Sequence, residues 1–195
     1  MRKLVLPVAL VLGLSTAAVA APITYTTNLT SLGEPSPGDT STATGFATLI
    51  VDPVTHIMDV SATFQGLFGP TTASHLHCCT TTPGTGSAGV ATQVPTFLNL
   101  PLGVTSGTFS QTLDMLLAST WNPAFITANG GTPAGAEAAL LAGLAQGRSY
   151  LNIHTSFSPG GEIRGFLAVA VPEPASLTLL GLGLAVTAIR RRRAR

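Results

Sequence analysis

The chain has 195 residues, of which only 9% are charged, with nine Lys and Arg against eight Asp and Glu. Seven of the nine cations sit at the two ends, so the stretch between them carries Arg148 and Arg164 against seven acids, a net charge of −5. This layout excludes a nucleic-acid binder, whose cations cluster on the folded domain, and it leaves about 150 residues for one domain with its own core.

Residues 1–20 have the pattern of a signal peptide. Arg2 and Lys3 precede the apolar stretch Leu4–Leu14, and Ala18-Val19-Ala20 supplies the small residues that signal peptidase requires. Pro7 and the leading cations make the same segment a poor core helix.

The domain expected over residues 21–170 reads as mainly β. Ile23–Leu29 and Gly45–Val51 alternate with period two, the second placing Phe46, Thr48 and Ile50 on one face. A block rich in Gly, Pro and Ser at Gly33–Ser41 reads as disordered. Asp52-Pro53-Val54-Thr55 is a turn into Ile57–Phe64, whose Met58, Val60, Ala62 and Phe64 share a face, and the two runs form a hairpin. Further strands are expected at Ser74–Cys78, Phe97–Leu100, Gly107–Leu113, Ser149–Thr155 and Glu162–Val169. One helix interrupts them, with Thr132 as N-cap, Pro133 at its first position, Ala136–Gln146 as body and Gly147 just past its end. Asp114–Trp121 forms a second, shorter helix, and Trp121-Asn122-Pro123 and Asn129-Gly130-Gly131 are loops. Many short strands with turns between them point to an antiparallel sandwich or barrel.

The reactive residues concentrate in three stretches. In Ser74-His75-Leu76-His77-Cys78-Cys79 an extended backbone turns His75 and His77 to one face. In Tyr150-Leu151-Asn152-Ile153-His154-Thr155, burial of Leu151 and Ile153 sends Tyr150, Asn152 and His154 to the other side. In the last strand Ile163, Leu167 and Val169 face the core and place Glu162 beside Arg164, a pairing that suits a salt bridge better than acid–base chemistry. Two readings of His75, His77 and His154 stay open. They are three imidazole ligands for copper or zinc, in the extreme a redox centre, or they belong to a structural hydrogen-bonded network with Asn152, Glu162 and Arg164. His56, beside the hairpin turn, reads as a solvated surface residue. Cys78 and Cys79 are the two cysteines of an exported chain; a vicinal disulfide, which no other cysteine competes with, an intermolecular bond, metal ligation and free thiols are all open to them. No nucleophile elbow, phosphate loop or dinucleotide fingerprint is present, so no cofactor is assured and a non-enzymatic binding or structural module is the expectation.

At the C-terminus, Val171-Pro172-Glu173-Pro174 leads into the uncharged run 175–189 and then four consecutive arginines. The run is short for a bilayer span but reaches one with local thinning, and the arginines hold it with the middle domain outside the cytoplasm. This end, residues 171–195, resembles the PEP-CTERM sorting signal of Gram-negative bacteria. The resemblance implies an inner-membrane-tethered precursor, processing by an exosortase-type enzyme near Pro172, Glu173 and Pro174, and a mature form at the cell surface or in the exopolysaccharide matrix.

The middle of the chain resembles the CHRD domain, named after repeats in chordin. The likeness rests on His75-Leu76-His77, on Tyr150-Leu151-Asn152-Ile153-His154-Thr155 and on Pro159-Gly160-Gly161-Glu162-Ile163-Arg164-Gly165, in that order. It implies an immunoglobulin-like or superoxide-dismutase-like β-sandwich and no established enzyme activity. Cys78-Cys79 stands where the family commonly has a Gly/Pro-type loop.

Overall fold

The computed structural model describes residues 21–170. The expected signal helix (1–20), the membrane helix (175–189) and the Pro172-Glu173-Pro174 motif lie outside the described residues. Among the described residues no helix is long and apolar enough to cross a membrane.

Alternation dictates the first sheet. Strands β1 (Ile23–Leu29), β2 (Thr44–Asp52) and β3 (Ile57–Gln65) pair antiparallel, with Tyr25 opposite Leu49 and Leu49 opposite Val60. The β2–β3 turn is held by Asp52, whose carboxylate accepts from the N–H groups of Val54 and Thr55 at 2.8 and 3.2 Å. Strand β5 (Gly107–Asp114) adds to β3 with Met58 opposite Leu113 and Ala62 opposite Phe109. The expected face of Met58, Val60, Ala62 and Phe64 is the buried one. In β2 the face of Phe46, Thr48 and Ile50 looks outward, and Ala47, Leu49 and Val51 line the core.

A second sheet has the order β4–β6–β7, formed by Thr71–His77, Tyr150–Thr155 and Ile163–Phe166. Its inner face presents Leu76, Leu151, Ile153 and Ile163 to the first sheet, each with 1% exposure or less. Ile153 and Ile163 are direct register partners. The result is an antiparallel sandwich with no closed barrel.

Helix α2 (Pro133–Ala145) starts where its caps predict: Thr132 Oγ1 accepts from Gly135 N–H at 3.1 Å, and Gly147 follows with φ +65°. Leu140 and Leu144 pack into the core, and Gly143 sits against the Cys78–Cys79 disulfide.

Several expectations fail, each for a tertiary reason. Phe97–Leu100 is a loop; Phe97 and Leu100 are buried, but after a single bond from Phe97 N–H to Ser74 O of β4 the chain turns, with Leu100 N–H bonded back to Phe97 O, so no ladder forms. Glu162–Val169 is two strands. The chain leaves β7 after Phe166 and crosses to the first sheet as β8 (Ala168–Val169), which pairs with β1 and leaves Val169 52% exposed instead of core-facing. Asp114–Trp121 holds only a 3₁₀ turn at Ala118–Thr120. A helix does form just after it, α1 (Pro123–Ala128), because Asn122 caps Ala124 N–H and Pro123 occupies the first position. Gly33–Ser41 is ordered, with a 3₁₀ turn at Gly38–Thr40 and with Glu34 and Ser41 buried. His56 is not simply solvated, since its Nδ1 lies 2.9 Å from the carboxylate of Glu137 on α2.

Candidate metal centre

Sheet alternation puts one row of polar side chains on the outer face of β4–β6–β7. It comprises His75 and His77, then Tyr150, Asn152 and His154, then Glu162 and Arg164. In a bare two-layer sandwich this face would meet water. Here almost none of it does, because the chain around Ser87–Pro95 lies over β4 and the loops at 31–41 and 156–161 cover the rest, leaving only the edge of Arg164 open to a cleft. Every member of the row is buried.

Three imidazoles converge in this layer. Their ring centroids are 5.2, 5.6 and 5.8 Å apart, a nearly equilateral triangle of His75, His77 and His154. One nitrogen of each ring meets a backbone carbonyl: His75 Nε2 with Pro95 O at 2.7 Å, His77 Nδ1 with Ala88 O at 2.9 Å, and His154 Nδ1 with Pro159 O at 2.9 Å. A carbonyl oxygen only accepts, so each of these nitrogens carries the ring proton. The second nitrogen of each neutral ring is then a bare lone pair. His75 Nδ1, His77 Nε2 and His154 Nε2 are all buried and have no hydrogen-bond partner. The potential ligand atoms of the three residues lie within 4.8 Å of one another.

Burial pushes the pKa of His75 and His77 down to about 4, and burial likewise lowers that of His154. The Pro95, Ala88 and Pro159 carbonyls oppose these shifts without overcoming them. The rings are therefore neutral at pH 7. Neutral nitrogens oriented by hydrogen bonds on the far side of the ring are what a late transition metal takes, and a set of imidazoles suits copper or zinc.

The rest of the row divides into two networks. Glu162 is fully buried and accepts from Ser41 Oγ at 2.8 Å, Phe68 N–H at 2.6 Å, Gly69 N–H at 3.3 Å and Thr155 Oγ1 at 2.5 Å. It ties three loops to β6 and leaves no oxygen for Arg164. The carboxylate beside Arg164 is Glu34, whose Oε2 lies 3.9 Å from Arg164 Nε. Burial raises the Glu34 pKa to about 7 against the lowering pull of Arg164 and Asn152. Arg164 also lies over the ring of Tyr150 at 5.0 Å, and Tyr150 stacks on His77 at 4.8 Å with the planes 7° from parallel. Asn152 sits in register between His75 and Arg164. Cys78 and Cys79 are bonded to each other and packed on α2 at Gly143.

Sequence reasoning missed Glu34. It is a lone acid in a Gly- and Pro-rich segment, and nothing local signals its partner. Tyr150 was placed on the correct face, but its position between Arg164 and His77 has no sequence signal.

Two family models match the chain. The CHRD domain covers residues 25–167, and the PEP-CTERM protein-sorting motif covers residues 170–193. No curated protein and no solved structure matches it. The sorting motif marks an exported, membrane-processed protein and a substrate of an exosortase-type enzyme.

Proposed function

Because this chain belongs to the CHRD-domain family and ends in a PEP-CTERM sorting motif, we propose that it is a surface- or matrix-associated binding module that holds one copper or zinc ion on His75, His77 and His154. The N-terminal segment directs export, with signal peptidase removing residues 1–20. The apolar run 175–189 tethers the precursor to the inner membrane until the exosortase-type enzyme releases the domain of residues 21–170 to the cell surface, where exopolysaccharide is its neighbour. Asn152, Glu162 and Arg164 act as structural supports for the layer, and the Cys78–Cys79 bond secures the end of the strand that carries two of the ligands.

One observation supports the metal: three buried imidazole nitrogens face one another without partners while the opposite nitrogen of each ring is bonded to a carbonyl. A purely structural histidine would have both nitrogens satisfied or one in water. An ion that drew the three nitrogens inward from their spacing of up to 4.8 Å to the ~2.0–2.1 Å of a metal–imidazole bond would satisfy all three at once.

The test is calorimetric titration of chelator-treated protein with copper(II) and zinc(II), together with elemental analysis of protein recovered from outside the cytoplasm. One ion per chain is expected, with copper bound more tightly than zinc. A His75→Ala, His77→Ala double variant should lose the binding. Equal binding by the variant would make the cluster structural and end the proposal.

A further inference from the structure

We propose that the cleft beside Arg164 binds the carboxylate of an acidic saccharide. This site is separate from the metal reading, since no imidazole lines it. The cleft encloses about 420 Å³, and its walls include Thr27, Asn28, Thr30, Thr85, Arg164 and Phe166. That volume lies in the range of small-ligand sites. The lining has one cation, several hydroxyls and an amide, an aromatic ring and no acid. A carboxylate pairs with the first, sugar hydroxyls with the second group, and the C–H face of a sugar ring with the third.

The cation is the unusual feature. Arg164 is one of two basic residues in a stretch of net charge −5, and it is only 6% exposed. A buried guanidinium is expensive to desolvate unless its donors are filled. Inside the fold those of Arg164 are only weakly met: Nη1 reaches Ser87 Oγ at 3.4 Å, and the buried Nε has only the Glu34 carboxylate, 3.9 Å away. The backbone makes room for the group. At Gly33, whose φ is +77°, a Cβ would stand 2.9 Å from Arg164 Nη2, so glycine lets the guanidinium extend to the cleft wall. The domain as a whole repels anions, so any anion that binds here is held by local geometry and not by a general field. An oxyanion on Arg164 forms charge-assisted hydrogen bonds, and the nearby Glu34 carboxylate, 3.9 Å from Nε, competes with it for the same cation.

The proposal is tested on the full mature protein by calorimetry with a uronic-acid disaccharide, its uncharged hexose counterpart and inorganic sulfate. The acidic disaccharide should bind at least about tenfold more tightly than either control. Thr85→Trp, a change at an exposed rim position, should block the cleft and abolish binding without touching Arg164. Glu34→Gln should tighten binding by removing the competing carboxylate, an effect that a merely structural Glu34–Arg164 pair does not produce. Equal binding of the acidic and neutral disaccharides, sulfate binding as tightly as the uronic acid, unchanged binding by Thr85→Trp, or weakened binding by Glu34→Gln would each overturn it.

Discussion

Acidifying the metal-free protein should weaken the fold, by an amount that follows from the buried histidines. His75 and His77 stay neutral in the folded state down to about pH 4, whereas an unfolded imidazole takes its proton near pH ~6.5. Between those values the unfolded chain binds more protons than the folded one, so stability falls as pH falls. The loss begins near the unfolded value and is complete near the folded one. From pH 7 to pH 5 each of the two histidines removes about 2 kcal/mol, and His154, lowered by the same burial, acts in the same sense. Glu34 opposes them. Its carboxyl is raised to about 7, so over this interval the folded state holds the extra proton and gains about 2 kcal/mol. From His75, His77 and Glu34 alone the wild-type protein should therefore lose about 2 kcal/mol, and Glu34→Gln, which lacks the opposing group, about 4 kcal/mol, with His154 adding to both losses. Urea unfolding of chelator-treated protein across this pH range measures both. If Glu34→Gln is as stable at pH 5 as at pH 7, the three imidazoles are not buried as neutral rings, and the metal proposal loses its electrostatic basis.

Three further outcomes are expected. Ile153→Ala or Ile163→Ala, each removing half of a fully buried register pair, should destabilise by about 2–5 kcal/mol in denaturant unfolding; a negligible change would mean the inner and outer faces of the second sheet are reversed. Gly143→Ala gains helix propensity of about 1 kcal/mol, yet its methyl would overlap Cys78 Sγ, Cys79 Sγ and Ser149 Oγ. It should destabilise by about 1–3 kcal/mol, and a more stable variant would mean that α2 does not rest on the disulfide. Replacing Pro172-Glu173-Pro174 with alanines should leave export intact, as a reporter fused after Val169 would show, but should hold the protein in the membrane fraction; identical partitioning of wild type and variant in a strain with the sorting enzyme would remove the motif's role.

The sequence alone determined whatever depends on neighbours along the chain. The charged and apolar pattern at each end needs no fold to be legible. The alternation of Ile57–Phe64 identifies its buried face, and Thr132, Pro133 and Gly147 mark the ends of α2, because strand period and helix caps are local. His75, His77 and His154 could be placed on non-core faces for the same reason. Only the tertiary structure decided what covers those faces. The loops over the second sheet turn a polar row that alternation assigns to solvent into a buried layer, and that burial makes the imidazoles neutral and leaves three nitrogens facing inward. Local rules also failed where a distant partner overrides them. Phe97–Leu100 has strand composition but turns away after one bond to Ser74 of β4, and Glu34, in a segment that reads as disordered, is ordered beside Arg164 and Asn152. The physical reason is common to these cases: burial and desolvation are set by what packs across space, and a lone acid or histidine carries no record of its distant neighbours in the residues beside it.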